Sequence, residues 1–155
     1  MALDRFESWA RRTNRLHLEC WAVLAPFFTS EPYSMDISDI YVLVQDRPLT
    51  IGLRGGAMVL GNTIRVRSGI LDANTYLYHN LWSWTQPKGV ANWAHEVFHI
   101  HQWRRDRWRY YWRIATGMLG SWSHGDVYDH QRIGPELEAI AFEKYVEAEL
   151  WKRKA

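Results

Sequence analysis

The segment WAHEVFHIHQW, residues 93–103, constrains the fold more than any other part of this 155-residue sequence. It contains the pattern H-E-x-x-H, in which His95 and His99 are four residues apart and Glu96 follows the first histidine. In an α-helix, residues four apart lie on one face, one turn above the other. Both imidazoles can then reach one ion at about 2.0–2.1 Å. The spacing therefore predicts a helix that presents two metal ligands.

The residues around this pair suggest their own roles. Glu96 lies on the adjoining side of the same turn, where its carboxylate can hydrogen-bond a water molecule instead of binding the metal. His101 projects about 200° around the helix from His99, so we do not expect it to be a ligand. The alternative to a metal site is a pair of core histidines with satisfied hydrogen bonds.

The third ligand must come from another part of the chain. The downstream candidates are His124, Asp126, Asp129, His130, Glu136 and Glu138. The segment PELEAIAFE, 135–143, favours the two glutamates, because Pro135 can open a helix and a helix positions ligands more rigidly than a loop. Small residues at Ala139 and Ala141 would let this helix approach the first one closely. The spacing alone leaves Glu136 and Glu138 open.

The rest of the chain alternates between helical and strand patterns. Apolar residues at steps of three or four predict one N-terminal helix over 3–24, with Cys20 buried on its apolar face. Two β-rich runs around Gly61-Asn62 predict a hairpin. The coarse prediction is a helix over 3–24, then three or four strands within 39–69, then a helix from about 90 to at least 110. Gly117 and Gly120 are expected to interrupt the chain after this helix. A loop over 120–134 and a last helix over 135–152 follow.

Composition excludes several function classes. The net charge of +2 is too small to indicate nucleic-acid binding. No apolar run reaches about 18 residues, so we expect no membrane span. No signal peptide is visible, which leaves a cytoplasmic location or export by a signal-independent route. An arginine-rich run over 104–109 is interleaved with aromatic residues, and we expect a solvated helix face with the aromatic rings turned inward. Contact with an anionic surface is the alternative.

Three segments together resemble a known family. AMVLGNTIRVRSG, then WAHEVFHIHQW, then GPELEAIAFE are similar to the gluzincin-type zinc peptidases found as the core domain of extracellular contractile injection system proteins. The resemblance covers residues 57–143. It implies an α+β, zincin-like fold: a small antiparallel or mixed sheet packed on the active-site helix, with N-terminal and C-terminal helices. It also implies that residues 1–155 form a single metallopeptidase domain, and that the protein is a secreted effector or injection-system cargo.

The resemblance further implies a ligand set and an activity. Similarity to membrane gluzincins with the E-x-E-A-D signature makes the first glutamate, Glu136, the third zinc ligand beside His95 and His99. The aspartate expected four residues later is Ile140 here, so the residue that would orient a ligand histidine is missing. The expected function is a zinc metalloendopeptidase that cleaves peptide bonds with a zinc-bound water activated by Glu96. The alternatives are a non-catalytic zinc-binding or scaffold module that binds a protein partner, and a zinc hydrolase of a non-peptide amide.

Two further expectations concern the substrate. A second oxyanion donor could be His124, Tyr128 or His130, all in the loop before Glu136. The strand over 63–67 would be an exposed edge to which an extended peptide adds by main-chain hydrogen bonds, with Arg65 and Arg67 on one face. Alternatively, these arginines only protect the edge against aggregation.

Overall fold

The fold is known from a computed structural model. It describes residues 5–46, 56–72, 81–123 and 134–155, with the helix backbone alone over 117–123. The helices and strands are α1 (Arg5–Thr13), α2 (Leu18–Leu24), a short 3-10 helix (Ala25–Phe28), β1 (Tyr41–Gln45), β2 (Ala57–Leu60), β3 (Thr63–Arg67), α3 (Pro87–Arg105), α4 (Arg107–Ser123) and α5 (Gly134–Lys154). The predicted α+β class, with helices at both ends of the sequence, is confirmed. The run 47–53, where a fourth strand could lie, is outside the described residues.

The sheet is mixed and has the strand order β1-β3-β2. β3 pairs in parallel with β1 and antiparallel with β2. β3 is therefore the central strand, and the expectation that residues 63–67 form an exposed edge is wrong, because main-chain partners lie on both sides. Ile64 and Val66 point into the core, while Arg65 and Arg67 lie on the other face, as the alternation predicted.

The β2–β3 hairpin forms where the sequence predicted it. Leu60 pairs with Thr63, so Gly61 and Asn62 make a two-residue turn, and Gly61 takes a positive φ of 62°. The turn is tied to the end of α3, since the guanidinium of Arg104 donates to Asn62 Oδ1 at 3.0 Å. This contact fixes the sheet against the helix that carries His95 and His99.

The core lies between the sheet, α3 and α5. α3 contacts the sheet, α2, α4 and α5, and residues from Val90 to Ile100 supply much of its buried surface. Phe98 of α3 stacks on Phe142 of α5 with ring centroids 4.7 Å apart. Ala139 of α5 is completely buried. The stacked rings and this small side chain let α5 pack close to α3.

Two predicted helices are interrupted in the structure. The N-terminal pattern over 3–24 forms two helices, because Asn14 adopts a left-handed φ of 54° and ends α1. The long pattern from residue 90 breaks at Asp106, whose backbone is extended and ends α3. Asp106 Oδ1 then accepts a hydrogen bond from Arg109 N at 3.0 Å and caps α4. Conversely, α4 continues through Gly117 and Gly120, where we expected an interruption.

The aromatic residues of α4 do not all turn inward as expected. Tyr110 is buried, but Trp108 is 80% exposed and Trp112 is 63% exposed. Cys20, in contrast, is buried as predicted. Over the part of the chain that the structure describes, no helix has both the length and the apolar character needed to cross a membrane.

Candidate metal centre

α3 places His95 and His99 side by side on one face. Val97, Phe98 and Ile100 are buried and fix the helix in the core, so the two histidines point toward α5. Their ring centroids are 4.9 Å apart and nearly perpendicular. His99 is buried and His95 is half-buried. The H-E-x-x-H spacing thus has the helical geometry that the sequence predicted.

Glu136, in the first turn of α5, completes a cluster of three ligand atoms. The ligand atoms of His95, His99 and Glu136 all lie within 4.8 Å of one another. The Nε2 atoms of the histidines are 3.2 Å apart. Glu136 Oε2 is 3.1 Å from His95 Nε2, and its Oε1 is 2.7 Å from His99 Nε2. The structure therefore brings together the three residues that the sequence and the resemblance singled out.

Glu138 has a different environment. Its carboxylate pairs with Arg113 at 2.9 Å and with Arg105 at 3.5 Å, and it accepts a hydrogen bond from Gln102. Burial would raise the pKa of Glu138, but the bonds from Arg113 and Gln102 hold it below its usual range. Of the two glutamates that the spacing left open, only Glu136 faces the histidines.

A residue that the sequence analysis did not identify orients His95. Glu143 lies two helical turns after Glu136 on α5, and its Oε2 is 3.0 Å from His95 Nδ1. Lys88, at the start of α3, forms an ion pair with the other oxygen of Glu143. The role left open by Ile140 is thus filled one turn further along the same helix. The only sequence signal was the seven-residue spacing, which places Glu136 and Glu143 on one face.

Gln102 orients His99 in the same way that Glu143 orients His95. Its Oε1 is 2.9 Å from His99 Nδ1, and its amide nitrogen donates to Pro135 O and to Glu138 Oε2, both at 2.8 Å. Gln102 is almost fully buried. It therefore links the last turns of α3 to the residue that precedes Glu136. The three-residue spacing of His99 and Gln102 was a signal for the first contact, since residues three apart are neighbours on a helix, but the sequence did not reveal the contacts with Pro135 and Glu138.

These contacts determine where the imidazole protons lie. A carboxylate can only accept, so His95 Nδ1 donates to Glu143, and the amide orientation of Gln102 makes its Oε1 the acceptor for His99 Nδ1. In the neutral form, each histidine then presents an unprotonated Nε2 to Glu136. Three acceptor atoms converge, and they need a positive charge among them.

The pKa shifts of His95 and Glu136 also indicate a positive charge within the cluster. Burial would lower the pKa of His95, but its hydrogen bonds to Glu136 and Glu143 raise it to about 10. Burial would raise the pKa of Glu136, yet the bonds to His95 and His99 hold it far below its usual range. The cluster favours a positive charge at its centre, which a proton or a metal ion can supply.

The donor set fits zinc. Nitrogen and oxygen ligands at about 2.0–2.2 Å in a tetrahedral arrangement are about 3.3–3.6 Å apart. The two Nε2 atoms, at 3.2 Å, and the His95–Glu136 pair, at 3.1 Å, are within a few tenths of an ångström of that range. The His99–Glu136 pair, at 2.7 Å, is at hydrogen-bond distance and would have to separate to admit the ion. Two histidines, one carboxylate and fixed second nitrogens are a ligand set that zinc uses in proteins.

Glu96 is not a member of the cluster, but its carboxyl group is close enough to interact with the charges of His95, His99 and Glu136. Burial raises the pKa of Glu96 to about 7, and the neighbouring His95 and His99 offset only part of this rise. His101 points away, as predicted: it stacks on Phe98, and its Nε2 is 3.0 Å from Pro32 O. The remaining candidates for ligand or oxyanion donor, His124, Asp126, Tyr128, Asp129 and His130, lie outside the described residues.

Comparison of the chain with protein-family models, with curated proteins and with solved structures found no match.

Proposed function

We propose that this protein is a zinc-dependent peptidase of the gluzincin type, with a zincin-like fold. The observation that supports it best is the convergence of His95 Nε2, His99 Nε2 and the Glu136 carboxylate, with both Nδ1 atoms bound by acceptors. Zinc held there would act as a Lewis acid on the substrate carbonyl and lower the pKa of a water molecule.

The residues of the chain supply the proton transfers. Glu96 accepts a proton from the attacking water and delivers it to the leaving amine. Burial raises the pKa of Glu96, which favours a side chain that must both accept and release a proton. Glu143 and Gln102 hold the histidine rings in place, so little reorganisation is needed when substrate binds.

Two features favour catalysis over a purely structural or scaffold role. Three protein ligands leave one coordination position for water or substrate, as in catalytic zinc sites. A carboxylate beside the ligands, at Glu96, is not needed for binding alone. The sequence argument for a non-catalytic module was the absence of an acid at Ile140, and that argument loses its weight because Glu143 contacts His95.

The test compares the parent with Glu96→Gln on a peptide from a proteome-derived library that the parent cuts. Both forms should contain about one zinc per chain by elemental analysis. Cleavage should fall about 10²–10⁴-fold in the variant, the usual contribution of a general base. Glu149→Gln, at a partly exposed glutamate of α5 that pairs with Lys152, is the control for the same chemical change and should cut normally.

Two results would contradict the proposal. Equal cleavage by the parent and Glu96→Gln would remove Glu96 from the mechanism. A zinc-loaded parent that cuts no library peptide would favour the binding module, unless it hydrolyses a peptidoglycan fragment, in which case the non-peptide amide hydrolase is the better description.

A further inference from the structure

A cleft of about 190 Å³ lies between the end of α3, the first turns of α4 and the start of α5. Its walls include Gln102, Arg105, Arg109, Tyr110, Arg113 and Pro135. Whole-ligand sites are usually about 300–1,000 Å³. The size of this cleft therefore suits one group of a larger ligand, that is, a subsite.

The cleft carries more positive than negative charge. Arg105, at the end of α3, and Arg109 and Arg113, on α4, all line it. Glu138 pairs with both Arg105 and Arg113. Asp106 also lines the cleft, but its Oδ1 accepts the backbone N–H of Arg109. Among the described residues, ion pairs engage Arg105 and Arg113 but none engages Arg109, which is exposed.

The cleft adjoins the candidate metal centre. Gln102 lines the cleft and holds His99 Nδ1 at 2.9 Å, and Pro135, which also lines it, immediately precedes Glu136. The ring of Tyr110 lies with its centroid 6.3 Å from that of His99. A short extended peptide bound at the cluster could therefore place one of its groups in this cleft.

We propose that this arginine cleft binds a carboxylate of the peptide substrate, so that the protein prefers an anionic group close to the cleaved bond. The inference rests on the proposed peptidase function for the substrate class. Guanidinium groups match carboxylates in a fork geometry and form strong charge-assisted hydrogen bonds. Tyr110 and Pro135 provide apolar wall for the carbon atoms that carry the carboxylate. The carboxylate can belong to an acidic side chain or to the C-terminus.

Retention of peptides on immobilised, zinc-loaded Glu96→Gln protein tests the proposal without requiring turnover. The probes are three octapeptide libraries free of other charges. In the first, each member has one Glu, placed at a different position in each member, and an amidated C-terminus. The second has Gln in place of Glu and a free C-terminus, and the third has Gln and an amidated C-terminus. Mass spectrometry measures enrichment. Members of one anionic library should be retained about tenfold more than their neutral counterparts, the lower range for a hydrogen bond to a charged group. The library that is enriched identifies the source of the carboxylate.

Two variants separate local binding from general attraction. In the Glu96→Gln protein, the additional substitution Arg109→Gln should abolish the enrichment. Adding Arg107→Gln, which removes one charge from an exposed arginine over the Trp103 ring, should preserve it. Equal retention of all libraries, or equal loss in both variants, would overturn the proposal.

The cleft and the peptidase function can fail separately. Enrichment that depends on Arg109, in a protein whose parent form cuts no peptide, would support the cleft and contradict the peptidase. Cleavage by the parent with no enrichment of either anionic library would support the peptidase function and contradict the cleft.

Discussion

Replacing Glu143 tests how strongly the proposed metal centre depends on residues that do not bind the metal. Glu143 accepts the Nδ1 hydrogen of His95 at 3.0 Å and pairs with Lys88 through its other oxygen. Its side chain is only 14% exposed, so water cannot readily replace it. In Glu143→Ala, His95 loses the contact that sets its tautomer and ring orientation, and Lys88 loses its nearest acid. In Glu143→Gln, an amide oxygen can still accept, but the charge is gone.

The expected loss follows from these contacts. Outer partners of metal-binding histidines typically contribute 10–100-fold to affinity, about 1.4–2.7 kcal/mol. We expect Glu143→Gln to lie near the lower limit, because the acceptor is kept. Glu143→Ala should lie near the upper limit, because both the acceptor and the charge are removed.

Competition with a chromophoric zinc chelator at fixed pH and ionic strength measures this loss. Glu147→Ala is the matched control: it removes an acid 3.9 Å from Lys88, one turn further along α5. We expect its zinc affinity to be within twofold of the parent. The reasoning is refuted if Glu143→Ala binds zinc as tightly as the parent, or if Glu147→Ala loses as much, since the effect would then reflect the charge of α5 and not the contact with His95.

Four further predictions can be checked directly. Glu136→Ala should lose most of its zinc by elemental analysis while Glu138→Ala keeps it; the opposite result would move the ligand to Glu138. A chelator should leave far-UV circular dichroism largely intact, because a domain of this size buries enough surface to fold by itself; loss of the helical signal would indicate a structural site. Gly89→Ala should destabilise the fold by about 1–3 kcal/mol, because a Cβ would overlap the backbone of Ser83; an unchanged Tm would contradict this. Burial raises the pKa of the Cys20 thiol, so a thiol reagent should label it only after denaturation, and rapid labelling of the native protein would show that it is accessible.

Local patterns in the sequence determined several elements correctly. The four-residue spacing of His95 and His99 sets them on one face of any helix, whatever that helix packs against. The hairpin formed at Gly61-Asn62 because glycine supplies the positive φ within the turn itself. Cys20 is buried because its position on the apolar face follows from helical periodicity. In each case the physical cause acts within a few residues.

The interruptions of the helices were harder to predict, although their causes are local too. Apolar periodicity continues across Asn14 and Asp106, so it does not indicate that the helices end there. In the sequence, an aspartate that caps the next helix cannot be distinguished from an aspartate on a solvated helix face. Gly117 and Gly120, which weaken a helix by about 1 kcal/mol each relative to alanine, did not end it.

Only the tertiary structure decided what depends on remote segments. β3 is central because β1 pairs with it across a connection of many residues, and no pattern within residues 63–67 encodes that partner. Glu143 contacts His95, and Gln102 contacts Pro135 and Glu138, because of the way α5 packs on α3, where Phe98 stacks on Phe142 and Ala139 is buried. The arginines of α4 line a cleft because the start of α5 packs beside them. Periodicity tells which residues share a face, but only packing between elements determines what that face meets.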